Sequence, residues 1–299
     1  MAAESTAQKT LLDAEFLRKL ERLALYAKRV QLGVTKGERR SKRKGSSVEF
    51  ADYRDYVQGD DLRHVDWNLF ARLDSLHLKL FQEHEDLTLH LLIDASKSMA
   101  FGSPHKFDFA RRLAAAIGYI GLVGYDRVSA EALSSVRPQR LASIRGKASA
   151  RKLFTFLEGL EADGATHLEP SCRTYAIRNR AKGVALLISD FFDEDGFEGA
   201  IKHLHAAGSD LYVIQVLAPE EIDPSLSGDL KLIDCETAAH AEVSVSHALM
   251  RRYRQNREAF VDSVRRYCLG RGIAHFMVSS DTSVENLTLN LLRRKGMLR

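Results

Sequence analysis

The stretch HLLIDASKSMAFGSPHKF, residues 90–107, passes from strand to helix through a polar loop. Leu91, Leu92 and Ile93 form an apolar run that ends in Asp94, and hydroxyls follow at Ser96 and Ser98. Ser103-Pro104 then reads as a helix N-cap followed by a proline at the first helical position. Beyond it Phe107, Ala110, Ala114, Ile117 and Gly121 recur on one face. A carboxylate and two hydroxyls spaced by twos at such a handover have three readings: a polar cap for the loop, a nucleophile, or oxygen ligands for a metal ion.

Downstream the same handover repeats. LTLHLLID (87–94), GVALLISD (183–190), SDLYVIQVL (209–217) and GIAHFMVSS (272–280) read as strands. Helical patterns near 147–161, 169–181, 196–207, 246–269 and 283–294 lie among them. DRVSAEALSSV and QRLASI, separated by Arg137-Pro138, read as an antiparallel hairpin. Strand alternating with helix predicts an α/β fold with a mostly parallel sheet and helices on both faces. Ligands of such sheets bind outside the carboxyl ends of the strands, where strand order reverses.

Upstream, residues 10–32 carry a helical rhythm of Leu12, Phe16, Leu20, Leu23, Ala27 and Val30. Then KRVQLGVTKGERRSKRKG (28–45) holds eight Lys or Arg against one Glu. Such a run grips phosphates at low salt, but no aromatic side chains interleave with its charges as a base-stacking surface requires. Next comes SSVEFADYRDYVQGDDLRHVDWNLFARL (46–73), dense in both charge signs around Tyr53, Tyr56 and Trp67, and then the alternating strand SLHLKLFQEHE (75–85). The expected division is therefore an N-terminal helix, basic linker and charged β extension over 1–85, and an α/β domain over 86–299.

The 299 residues, 45% hydrophobic and 28% charged, are sufficient for a sizeable core. No apolar run approaches the roughly 20 residues of a membrane span, and the N-terminus lacks the pattern of a secretory signal. Three widely spaced cysteines fit buried thiols in a reducing compartment better than a disulfide framework. A cytoplasmic protein is expected.

Two further loops join the first. GVALLISD ends in Asp190, and EADGATHLEP (161–170) places Thr166 after Gly164. Carboxylates and hydroxyls without a thiolate suit Mg²⁺ or Mn²⁺. Two converging carboxylates would repel without a cation. A phosphatase of the haloacid-dehalogenase type needs Asp-x-Asp, and here Ser96 stands at the second acid. There is no Gly-x-Ser-x-Gly elbow, no G-x-x-x-x-G-K-S/T, and the glycines of GYIGLVG (118–124) lie inside a helical stretch. No complete catalytic constellation is found, so a non-enzyme is expected.

Asp94-x-Ser96-x-Ser98 with Thr166 and Asp190 resembles the metal-ion-dependent adhesion site (MIDAS) of von Willebrand factor A-like domains. The upstream Glu49-Phe50, Arg54-x-Tyr56, Gly59-Asp60-Asp61, Asp66-Trp67 and Ala71-Arg72 series, ahead of HLLIDASKSM, is similar to the bacterial "domain of unknown function 58" family. The resemblance covers roughly residues 40–280. It implies a von Willebrand A-like domain that binds Mg²⁺ or Mn²⁺ through Asp94, Ser96, Ser98, Thr166 and Asp190. Ser96, Ser98 and Thr166 would ligate directly, and the two aspartates would mostly hold waters. One coordination position would remain for an acidic residue of a protein partner. It also implies an interaction or co-chaperone role beside a MoxR-type AAA+ ATPase. Where relatives carry Gly-Gly-Thr-Asp, this chain has GATHL, with His167 in the acidic position, which implies weaker metal affinity. The alternative functions are a nucleic-acid-associated protein using residues 28–45 and a metal-dependent phosphoester hydrolase.

Overall fold

Residues buried on both faces read as unbroken apolar runs, and the two central strands of the sheet are of that kind. The computed structural model describes residues 11–23, 48–58, 60, 62–83, 87–134, 138–165, 167–179, 183–236 and 239–292. The basic run 28–45 and Thr166 lie outside the described residues. The chain groups into two compact units, one of residues 1–32 with 87–299 and one of residues 33–86.

The elements in chain order are α1 (Ala14–Leu20), β1 (Val48–Asp55), α2 (Trp67–Leu73), β2 (His77–Glu83), β3 (Thr88–Asp94), α3 (Lys106–Val123), β4 (Arg127–Leu133) and β5 (Gln139–Arg145). They continue with α4 (Ala150–Glu158), α5 (Leu168–Arg178), β6 (Val184–Ser189), α6 (Glu198–Ala206), β7 (Asp210–Leu217), α7 (Pro219–Ile222), β8 (Gly228–Ile233), β9 (His240–Val245), α8 (His247–Leu269), β10 (Ala274–Ser279) and α9 (Val284–Asn286).

In the smaller unit β1 and β2 pair antiparallel, with a register shift between Phe50 and Asp52. Asp66 caps α2 by accepting from the Asn68 and Leu69 N–H groups. Its other oxygen accepts from the Tyr53 hydroxyl at 2.9 Å. Arg54 and Asp60 form an ion pair at 2.9 Å. Trp67 is exposed and meets Phe70 edge to face.

The larger unit is built on a six-stranded sheet in the order β10-β7-β6-β3-β4-β5. All neighbours are parallel except β4 and β5, the hairpin anticipated from the sequence. Every residue of β3 and of β6 is buried, as a parallel centre covered on both faces requires. The period-2 pleat sorts their side chains. Leu89, Leu91, Ile93, Leu186 and Ile188 enter one cluster with α1, α3 and α4. Leu92, Ala185 and Leu187 enter the other with α5, α6 and the C-terminal half of α8. The expected doubly wound α/β layering is present.

Two details differ from the sequence reading. Helix α1 groups with the α/β unit rather than with the extension, through buried Phe16 and Leu20, and Glu21 just past its end accepts from the Tyr119 hydroxyl at 2.8 Å. Ser103-Pro104 does not start α3. The helix begins at Lys106, with His105 in the cap position. Pro104 belongs to a preceding turn, and its carbonyl accepts from the Ser280 hydroxyl at 2.7 Å.

Candidate metal centre

Strand order reverses between β3 and β6. The chain leaves β3 for β4 on one side, and later returns to β6 on the other. The loops after these two strands diverge and leave a crevice at their carboxyl ends, and Asp94 and Asp190 stand there. Both carboxylates are buried, at 1% and 0% exposure.

Asp94 Oδ1 accepts from the Ser96 N–H at 3.0 Å, and Oδ2 accepts from the Ser189 hydroxyl at 2.6 Å. The Ser96 and Ser98 hydroxyls lie 2.9 Å apart and share a hydrogen bond, both buried. The spacing by twos follows from the loop: Ser96 is extended and precedes the short turn Lys97–Ala100, of which Ser98 is the second residue. Neither hydroxyl caps that turn or α3. The polar-cap reading of the two serines therefore does not hold.

The threonine loop is fastened to this one. Asp163 N–H donates to the Ala95 carbonyl at 2.9 Å, and Lys97 N–H donates to the Gly164 carbonyl at 2.9 Å. The backbone two residues before Thr166 thus lies against the Asp94 loop. At the rim, His167 Nδ1 is 3.9 Å from Asp195 Oδ2. With Asp193 they bring three potential ligand atoms within 4.8 Å of one another. Both Asp193 oxygens are already used, by the Leu168 N–H at 2.7 Å and the Asp195 N–H at 3.0 Å.

Beyond Asp190 the backbone turns sharply. Phe191 has φ 65°, a region costly for a bulky side chain, of order 1–3 kcal/mol. Its N–H bonds the Ser189 hydroxyl at 2.9 Å, and its ring is buried edge-on against Phe197. The turn sends Phe191 into the core and leaves Phe192 partly exposed.

The sequence reading missed a cation. Lys106, wholly buried at the start of α3, places Nζ 2.7 Å from Asp190 Oδ2 and 2.5 Å from Glu221 Oε1. Burial alone would lower its pKa, but the two carboxylates outweigh it and the net shift is upward. Glu221 is held by the Ala218 N–H at 2.7 Å, and burial pushes its carboxyl up against the opposing pull of Lys106. Nζ also lies 5.2 Å and 5.9 Å from the Phe192 and Phe101 ring centres. One sequence signal existed: a lysine in the first turn of a helix opposes the helix dipole and needs an outside reason.

Asp190 and Glu221 thus share one ammonium. The Asp94 carboxyl is pushed up to about 7, first by burial and second by the charge of Asp190. The donors are carboxylate and hydroxyl oxygens with no sulfur among them, and the buried charge is negative in excess. Both properties fit a hard divalent cation.

A family model described as "Protein of unknown function DUF58" matches residues 52–262. An uncharacterized protein of Mycobacterium tuberculosis is 27% identical over 242 residues, which cover 79% of this chain and 76% of that protein. Among solved structures, the conserved hypothetical protein BatB from Bacteroides thetaiotaomicron matches with a TM-score of 0.43 and 13% identity, over 70% of this chain and 98% of that one. The SpRpn10 VWA domain matches with a TM-score of 0.40 and 10% identity, over 69% and 95%.

Proposed function

The chain belongs to the DUF58 family, and we propose that its α/β unit is a von Willebrand A-like, Mg²⁺-dependent protein-interaction module without catalytic activity. The observation that carries this reading is the pair of buried carboxylates, Asp94 and Asp190, at the switch point of the sheet, beside two buried hydroxyls and the Lys106 ammonium, which pairs with Asp190. Asp94, Ser96, Ser98, Thr166 and Asp190 would hold Mg²⁺, or Mn²⁺ in its place. The bound ion would supply a coordination position for an acidic side chain of the partner.

The residues divide the work. Ser189 and the Ser96 N–H orient Asp94, so its oxygens keep fixed directions. Lys106 neutralises one side of Asp190 and leaves Asp94 as the more strongly uncompensated charge. The partly exposed Phe101 and Phe192 rings flank the ammonium. Rings of this kind supply the apolar contact that a small interface needs around a charged centre. The family resemblance points to a MoxR-type AAA+ ATPase as the partner.

Thermal unfolding with and without Mg²⁺ tests the reading. At ten times the dissociation constant, linkage gives about 1.4 kcal/mol of stabilisation. That gain is expected in wild type and absent from Asp94→Ala; an identical response of the two proteins removes metal binding at this site. Association with a purified MoxR-type ATPase is expected to weaken in Asp94→Ala at constant Mg²⁺, a comparison that leaves the ATPase's own need for the ion untouched.

A further inference from the structure

The hairpin of β8 and β9 forms its own two-stranded sheet, and most of its side chains face solvent. Its tip is nevertheless shaped and anchored. The Asp234 N–H donates to the Ala239 carbonyl at 2.7 Å, and the Glu236 N–H donates to Asp234 Oδ1 at 2.9 Å. Glu236 is half-buried where its neighbours Asp234 and Cys235 are exposed. The reason is a contact outside the hairpin: Glu236 Oε1 accepts from the Ser98 N–H at 3.3 Å, across 138 residues of sequence.

Ser98 is the residue whose hydroxyl pairs with Ser96 in the Asp94 loop. A carboxylate is therefore presented to a crevice that already holds two, by a segment that buries little of its own surface.

From this juxtaposition we infer that Glu236 is an intramolecular carboxylate ligand of the Asp94–Asp190 centre, and that an acidic partner must displace the β8–β9 hairpin to reach it. The inference rests on the metal-binding reading and deepens it. The occupant to be displaced has the chemistry expected of the partner, a hard oxygen on an acidic side chain.

The test uses the full chain and Mg²⁺ alone. Calorimetric titration compares wild type, Glu236→Gln and Asp94→Ala, and hydrogen exchange follows the amides of residues 228–245 with and without the ion. Glu236→Gln keeps the shape of the side chain, and a cooperative unfolding transition in EDTA at or above the wild-type midpoint verifies its fold. Its Mg²⁺ affinity is expected to fall about tenfold. Mg²⁺ is expected to slow exchange in the hairpin of wild type but not of Glu236→Gln. An affinity within twofold of wild type overturns the inference. So does a fall in affinity while the wild-type hairpin shows no slowing, because charge rather than ligation then explains it. In both cases loss of binding in Asp94→Ala leaves the metal site standing. Absence of Mg²⁺ binding in wild type, or binding unchanged in Asp94→Ala, overturns the site and the inference together.

Discussion

Asp94 is the residue at which the fold and the proposed function conflict. Without a cation its carboxyl lies near 7 in the folded protein, against about 3.9 in an unfolded chain. The folded state holds that proton more tightly. The stabilisation it brings is fully present below the unfolded value and is lost as pH rises through about 7. Metal-free wild type should therefore lose stability relative to Asp94→Asn between roughly pH 4 and pH 7. At pH 8 in EDTA the Asn variant should be the more stable, by on the order of 2 kcal/mol. Urea unfolding at several pH values measures the difference, and two parallel curves would refute it. Asp94, Ser96, Ser98 and Asp190 were legible in the sequence because each sits at or just past an apolar strand, where the chemistry of the residue and its place in the fold coincide. Lys106, Glu221 and Glu236 were not. Their roles come from partners 84, 115 and 138 residues away, and no local pattern encodes such distances.

At the scale of elements, the central strands were readable because burial on both faces leaves them continuously apolar. The β4–β5 hairpin was readable because of its alternation around a proline turn. The β8–β9 hairpin was not, because it packs on little and its sequence is under weak hydrophobic constraint. The start of α3 was misjudged because a Ser-Pro pair fits a turn as well as a cap, and the helix begins two residues later, at Lys106. One junction is set by close approach. Gly183, just before β6, leaves no room for a side chain: a Cβ there would stand 2.0 Å from the Thr88 carbonyl oxygen, which is backbone and cannot rotate aside. Gly183→Ala should force β6 away from β3 and cost about 3 kcal/mol. A denaturant midpoint close to that of wild type would show that the two strands are not so closely fixed.

For the whole molecule, the grouping of residues 1–32 with 87–299 means that the 33–86 segment is an excursion between two parts of one folding unit. The sequence hid this. A short helix followed by a basic run resembles a tail, whereas the surface that receives it is α3, a hundred residues on. Leu20 is fully buried in the same cluster as Ile117 and Ile120. Leu20→Ala should destabilise the α/β unit by about 2–4 kcal/mol, read as a lower midpoint in chemical unfolding. A loss under about 0.5 kcal/mol would mean that α1 is not part of the core.

The reversal of strand order at β3 and β6 has a mechanical side. Asp94 closes β3, the first strand of the six-stranded sheet in chain order, and Asp190 follows β6, the first strand of the other half, so the crevice exists only when both halves have folded. On the proposed function, an ion shared by the two carboxylates would act as a staple between positions far apart in the chain, comparable to a disulfide in what it joins but removable by a chelator. The repulsion that weakens the metal-free fold is then the same feature that makes the loaded one resist pulling apart. Resistance of the full chain to protease should accordingly follow the supply of the ion.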